Sequence, residues 1–414
     1  MDIANVNGYA LSSPIEPVQE RPFHGGVRRL RKRDVVVVVV ETADGQRGVA
    51  TAGASSSAMS EYFDGESQGT FADVVDTAVA DALEGETIEE IEDAHALLRE
   101  SDVPEGDLTE AISAIDVALY DIAGKYHGAP VYELLADEYE STPTTELDLY
   151  ASAGMYMAPE GYVEQARVLE ELGFFGYKYR PGIGPDGDRR IVERLADAVD
   201  DIELMLDVHT WWKLREGYDR ETVRDLVVHA AEHGAYWIEE PVEPADHRGY
   251  ADLAETGAPL AGGESEASPE TLVELGETGA VAFLQGDVRH HEGFTGCRDA
   301  VECCAGRDAV EFVPHNFGTW IGLAANAHLV AAAPDAELVE YPVFENDPLF
   351  DTDVDPGMYP FDLAFDLIQG RPEISDGVLS VSDEPGLGIE LNVDVLEEYP
   401  FVDGPWTEFR YDQD

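Results

Sequence analysis

The chain has 414 residues, 44% of them hydrophobic, which suits one large domain or two and excludes a disordered or fibrous protein. It carries 87 acidic against 25 basic residues, a net charge of −62, so nucleic acid and anionic membrane surfaces, which both need a cationic face, are excluded as partners. Lysine occurs only at Lys32, Lys125, Lys178 and Lys213. Such a charge repels itself in dilute buffer and is tolerable where the Debye length is ~3 Å, at molar salt; the pattern therefore reads as adaptation to a high-salt interior. With acids this abundant, only those in apolar surroundings carry information. Cys297, Cys303 and Cys304 have neither disulfide nor zinc spacing and read as reduced, buried thiols. Residues 1–30 show no signal-peptide core, and the Val35–Val40 run is far short of the ~20 residues a span requires. The expectation is a soluble, cytoplasmic protein.

In chain order, residues 1–60 read as strands, with Val35–Glu41 running into the hairpin signal Thr42-Ala43-Asp44-Gly45. Residues 70–100 and 108–127 read as helices; Ala111, Ile112, Ile115, Ala118 and Leu119 share one face. The polar stretch Asp137 to Glu146 reads as a linker, so residues 1–135 form a small α+β capping domain. Short apolar runs then alternate with helical segments: Leu147–Ser152, Gly176–Arg180, Glu203–Asp207, Tyr236–Glu240, Pro259–Glu264, Val281–Asp287, Ala309–Pro314 and Glu337–Tyr341. Eight strands at intervals of roughly 23–32 residues predict a (β/α)8 barrel over residues 136–350. A doubly wound sheet competes, but Ala151-Ser152-Ala153-Gly154-Met155 is not its Gly-rich phosphate turn. Residues 351–414, with strand-like Val378–Val381 and Ile389–Val393, cannot add a ninth strand to a closed barrel and are expected to pack back on the capping domain.

In such a barrel the active site lies at the C-terminal strand ends. From the second strand to the eighth these ends carry Lys178 and Arg180, Asp207 and His209, Glu239, Glu264 and Glu266, Asp287, His315, and Glu340. Asp207, Glu239 and Glu264 end neighbouring strands and are expected to converge on one point, where their repulsion calls for a hard divalent cation; all-oxygen ligands suit Mg²⁺. Lys178, near Arg180 and a metal, is expected to have a depressed pKa suited to a general base. On the far side Asp287 can fix the tautomer of His315 and raise its basicity.

Taken together, Lys178-x-Arg180, Asp207, Glu239-Glu240-Pro241, Gly263-Glu264, Asp287, His315 and the tail segments Asp376-Gly377 and Pro385-Gly386-Leu387-Gly388 resemble the mandelate racemase subgroup of the enolase superfamily over essentially the whole chain. The resemblance implies a modified TIM barrel capped by an N-terminal domain that the tail completes, and proton abstraction beside a carboxylate through a Mg²⁺-stabilised enediolate. It implies Asp207, Glu239 and Glu264 as metal ligands, Lys178 and the His315–Asp287 pair as acid/base groups on opposite faces, and Glu340 as a hydrogen-bond partner of the substrate carboxylate. Asp207-Val208-His209 resembles the sugar-acid dehydratases of that subgroup, in which the histidine protonates the leaving hydroxyl. Lysine and that extra histidine coexist here, and Arg289-His290-His291 follows the sixth strand, so the division of labour stays open. Specificity is expected from Arg180, Glu266 and two cap loops: residues 16–30, with Arg21, His24 and Arg28, and residues 51–63, with Ser55–Ser57, Tyr62 and Phe63. Hydroxyls and cations suit a polyhydroxy acid. The expected activity is Mg²⁺-dependent dehydration of an aldonate such as gluconate, galactonate or xylonate to a 2-keto-3-deoxy acid, in a homo-oligomer. Racemisation, epimerisation or cycloisomerisation on the same scaffold is the alternative enzyme reading, and a non-catalytic metal-dependent binding protein the reading from another class.

Overall fold

The computed structural model describes residues 1–52, 69–307 and 309–412. Two long antiparallel strands, β1 (Ile3–Phe23) and β2 (Gly26–Thr42), open the capping region, and β3 (Arg47–Ala52) pairs back on β2 across the expected hairpin. In that turn Gly45 N donates to Thr42 O at 2.9 Å and the Thr42 hydroxyl donates to Asp44 at 2.6 Å. Helices α1 (69–83) and α3 (Leu108–His127) pack on the sheet, and α2 (Ile91–Arg99) and α4 (Val131–Tyr139) pack on α3. The apolar face of α3 lies so close to β3 that a Cβ at Gly48 would stand 1.9 Å from Ala118 O. Only glycine permits that approach. The supposed linker is shorter than expected: α4 runs to Tyr139, because Glu138 on its outer face holds the Tyr120 hydroxyl (3.1 Å) and Arg298 (2.7 Å).

The barrel follows. Its strands are β4 (Glu146–Met155), β5 (Gly176–Arg180), β6 (Glu203–Asp207), β7 (Trp237–Glu239), β8 (Leu260–Gly262), β9 (Phe283–Leu284), β10 (Glu311–Phe312) and β11 (Leu338–Pro342). They pair in parallel from β4 through to β10, and β11 returns to pair with β4. Helices α5 (Pro159–Glu171), α6 (Pro185–Ala196), α7 (Arg220–Glu232), α8 (His247–Ala254), α9 (Pro269–Thr278), α10 (Gly293–Cys304) and α11 (Trp320–Ala332) alternate with them. Among the described residues the gap between β10 and β11 carries no strand ladder. Asn316 bridges it, its backbone N–H donating to the Glu340 carboxylate (2.7 Å) and its side-chain amide to Glu340 O (3.2 Å). Inside the barrel, Tyr150, Met205, Trp237, Ala261, Phe283, Val313 and Leu338 form an apolar cluster of their own. All three cysteines are buried and free. Among the described residues no helix is long and apolar enough to cross a membrane.

The tail corrects one expectation. It does add to the barrel sheet: β12 (Glu373–Ser375) and β13 (Val378–Ser380) form a hairpin, and β13 pairs antiparallel with Glu146–Asp148 of β4. The reason is length. Strand β4 begins before the Asp148↔Leu338 pair with which β11 starts, leaving its first residues an open edge. From there the chain crosses to the cap. Leu387 N donates to Asp121 of α3 at 2.9 Å, and β14 (Thr407–Tyr411) pairs with Gly26–Leu30 of β2.

Cap and barrel also meet at α4 and α11. The Tyr132 backbone N–H donates to His328 Nδ1 (3.2 Å), and the two rings stack at 5.5 Å. Burial pushes His328 down to about 4, so the ring is neutral in the fold while the unfolded chain takes a proton near pH 6.5. Stability therefore falls as pH drops through the window from about 6.5 to about 4, by up to ~3 kcal/mol from this ring. Urea titrations at pH 7 and pH 5 should show that part of the pH sensitivity missing in His328→Phe.

Candidate functional site

Strand periodicity builds the site. Met205, Trp237, Val313 and Leu338 of the interior cluster each precede a polar group by two residues: Asp207 and Glu239 at the ends of β6 and β7, His315 just beyond β10, and Glu340 within β11. Alternate residues share a face, so the chemistry forms a layer on top of the apolar plug. Phe283 stands in the same relation to Gln285, a residue the sequence reading missed although its parity marks it. Gly263, at φ +133°, turns the chain ahead of Glu264, and a Cβ there would press on Gln285.

The three predicted ligand carboxylates share this rim, but they do not meet at one point. Each faces a cation. Asp207 accepts from Arg180 Nε at 3.0 Å. Glu239 lies 2.8 Å from Lys178 Nζ and also accepts from Gln285 (2.7 Å) and Trp237 (3.1 Å). Glu264 faces His315 Nε2 at 3.2 Å. The ligand atoms that do lie within 4.8 Å of one another belong to His209, Glu240 and Glu264, and to Asp287, His290 and His315. Burial, with Asp207, Glu264 and Glu340 nearby, pushes Glu239 up to about 8 even against Lys178. The rim thus holds more buried negative charge than its cations neutralise, and its all-oxygen donors fit a hard divalent ion.

Lys178 departs from expectation twice. Its Cα pairs in register with Met205, a layer below Asp207, so the side chain is 2% exposed and does not reach the cavity. It lies 2.8 Å from Glu239 and 2.8 Å from Glu340. Burial would lower its pKa, but Glu239 and Glu340 raise it well above the ordinary value, where the sequence reading had it depressed. Glu340 is likewise fully buried, held by Lys178 and Asn316, and forms no part of the cavity wall. Arg180, a layer higher, does line the cavity.

That cavity, about 470 Å³, lies between the barrel rim and the cap, within the range of small-molecule sites. His315 and His209 both line it. His315 Nδ1 is 2.8 Å from Asp287, which turns Nε2 toward the cavity and Glu264. Burial would lower the ring's pKa, yet Glu264 and Asp287 carry it up to about 9. Asp287 is itself held well below the usual carboxylate range: burial opposes ionisation, but Arg289 (Nε at 3.0 Å) and His315 overcome it. Arg289, whose role was open, thus anchors the dyad. His209 Nδ1 stands 2.7 Å from Asp207, off the line a hydrogen bond needs. Burial brings that ring down to about 4 despite the carboxylate.

The remaining expectations divide. Glu266 reaches the cavity wall, though its carboxylate also holds His247 at 2.9 Å. His24 does not: it is exposed and packs edge-on against Tyr218, 5.7 Å away, beside Gly184. Tyr62, with Ser55–Ser57 and Phe63, lies outside the described residues. The cap and tail contribute Arg28, buried beneath Trp406 and Phe409, and Arg33, caged by Phe317, Tyr359, Phe361 and Trp406. Periodicity along the long β2 strand could not show that these guanidiniums face a cavity formed by a tail some 370 residues away in sequence.

The Lys178 bridge yields a direct test. Lys178→Met leaves Glu239 and Glu340 buried with no cation between them. Stability of the EDTA-treated protein at neutral pH should fall by about 3–5 kcal/mol, read from urea midpoints, and the deficit should shrink as acid protonates the stranded carboxyls.

Comparison with known proteins agrees with this architecture. Residues 12–136 match the mandelate racemase / muconate lactonizing enzyme N-terminal domain and residues 161–395 the enolase C-terminal domain-like family. The D-galactarolactone cycloisomerase of Agrobacterium fabrum is 31% identical over 299 residues, 71% of this chain and 74% of that protein. The D-xylonate dehydratase of Haloferax volcanii is 26% identical over 315 residues, 71% and 70% of the two chains. A racemase from Streptomyces coelicolor, crystallised with bound magnesium, superposes with a TM-score of 0.76 at 21% identity, over 96% of this chain and 100% of its own. With both of its domains matched in order and the strand-end residues in place, the chain belongs to the mandelate racemase / muconate lactonizing enzyme family of the enolase superfamily.

Proposed function

We propose that this enzyme dehydrates a sugar acid, an aldonate such as gluconate, galactonate or xylonate, to a 2-keto-3-deoxy acid. The observation that carries the reading is a pair of histidines lining one cavity, His315 oriented by Asp287 and His209 beside Asp207. A proton taker and a separate proton giver are what elimination requires. The D-xylonate dehydratase relative supports it. Arg28 and Arg33 from the cap and Arg180 from the barrel line the same cavity and suit a polyhydroxy carboxylate.

In this reading Asp207, Glu239 and Glu264 hold Mg²⁺, which when bound supplies positive charge against the negative charge developing on the substrate carboxylate. The protein's own groups do the rest. His315 Nε2, unprotonated in the reactive state, takes the C2 proton while Asp287 stabilises the resulting imidazolium. The C2–H electrons form the C2–C3 double bond and the C3–O bond breaks. His209, which must be charged for this step with Asp207 opposing the burial that brings it to about 4, gives its proton to the departing hydroxyl, which leaves as water, and the enol tautomerises to the 2-keto acid. Lys178 acts from below as a positioning residue, fixing Glu239 and Glu340.

The A. fabrum relative keeps cycloisomerisation as the second reading; an isomerisation loses no water. Incubation of a library of aldonates, aldarates and their lactones at molar salt with Mg²⁺ separates the two by mass: dehydration gives a keto acid, detected as its semicarbazone, one water lighter than its substrate, and isomerisation a product of unchanged mass. His315→Asn should abolish both C2 deuterium exchange and dehydration, a loss of ~10²–10⁴-fold. His209→Asn should keep exchange in D₂O and lose dehydration. EDTA should abolish both reactions. No keto acid from any library member, or activity indifferent to EDTA, overturns the proposal.

A further inference from the structure

A second cluster of ligating side chains lies outside the barrel, away from the cavity. Helices α6 and α7 are neighbours in the outer ring, and on their facing sides stand Glu193, His229 and His233. One ligand atom from each lies within 4.8 Å of those of the other two. His229 and His233 sit four residues apart on one helical face, their ring centroids 4.2 Å apart. His229 Nε2 is 3.6 Å from Glu193 Oε1.

The tautomers favour a ligand. His233 Nδ1 is 2.8 Å from His229 O. A carbonyl only accepts, so Nδ1 carries the hydrogen and the lone pair lies on Nε2. A backbone carbonyl on one imidazole nitrogen is the outer-sphere contact that metal-bound histidines favour. His229 Nε2 is buried with no hydrogen-bond partner among the described residues, a cost that natural structures rarely leave without a reason.

We propose that Glu193, His229 and His233 form a second divalent-metal site, selective for a borderline ion of the Zn²⁺ class, that clips α6 to α7 on the barrel exterior. Two imidazoles and one carboxylate make a three-ligand set with a position left for water, and imidazole donors favour Zn²⁺ over the Mg²⁺ that suits the all-oxygen rim. The site touches no catalytic residue, so its role is to stabilise the barrel wall. Half-exposed Glu193 can move the short distance needed to close the coordination sphere.

The test uses EDTA-treated full-length protein dialysed into saturating Mg²⁺, which occupies the acidic surface and the rim before Zn²⁺ is added. Isothermal titration should then show one Zn²⁺ equivalent of micromolar or tighter affinity, and Zn²⁺ should raise the melting temperature. Substitution of Co²⁺ should give visible d–d absorption of a nitrogen–oxygen site. In His229→Gln/His233→Gln that equivalent, the Co²⁺ spectrum and the melting shift should all disappear, while Mg²⁺-dependent turnover is unchanged. Glu193→Gln should weaken Zn²⁺ at least tenfold and leave the fold intact. If the double variant binds Zn²⁺ with the same stoichiometry and the same melting shift, or the parent binds no more Zn²⁺ than the variant, the proposal is overturned.

Discussion

The structure depends on charge matching in a buried layer. Asp207, Glu239, Glu340 and Asp287 sit at the top of a barrel with an apolar interior, where an isolated carboxylate could not stay ionised. Each is met by a cation: Arg180, Lys178 shared between two acids, and Arg289 together with His315. In a chain with only four lysines, placing one at 2% exposure beneath the site is a costly use of a rare residue. It is repaid by holding two carboxylates apart in fixed positions. The matching is incomplete at Glu239, where burial and the neighbouring acids push the carboxyl up to about 8 even beside Lys178.

The layer is indexed by the strands. The residue that plugs the barrel and the residue that does chemistry are two apart on the same face, so packing and function cannot be varied independently. Trp237 makes this concrete: its ring packs against Tyr150 and Phe283, and its indole N–H donates to Glu239. A smaller residue at 237 would open the plug and free the carboxylate together. Glu240, at φ +47°, bends the chain out of β7 and lays its own carboxylate against Ser265. Strain of this kind, ~1–3 kcal/mol, persists only where the surroundings enforce it.

Cap and tail turn an open rim into a chamber. The tail crosses from the bottom of β4 to the cap sheet, and Trp406 and Phe409 then roof Arg28 while Phe361 and Tyr359 flank Arg33. Guanidiniums stacked on aromatic faces keep their charge with little water. The cap therefore adds Arg28 and Arg33 to a cavity whose barrel side presents His209, Glu264, His315 and Arg180.

The amino-acid sequence by itself determined the alternation of eight strands with helices, the cap helices and hairpin, and the succession of charged strand ends from Lys178 to Glu340, because period, turn chemistry and strand-end position are local properties of the chain. It also identified the His315–Asp287 pair, 28 residues apart, since both end adjacent strands. Three things were decided only by tertiary structure. Strand register set the depth of each side chain, putting Lys178 below the cavity floor and Arg180 in its wall. Neighbouring carboxylates then raised the pKa of Lys178 against its burial, because a lysine's pKa depends on which carboxylates surround it and not on what flanks it in sequence. The wall facing the barrel came from β2 and the far end of the tail, and His24 was turned away from it. Contacts between segments hundreds of residues apart leave no periodic trace in either one, so the acids and bases of the rim were legible while the shape and lining of the chamber were not.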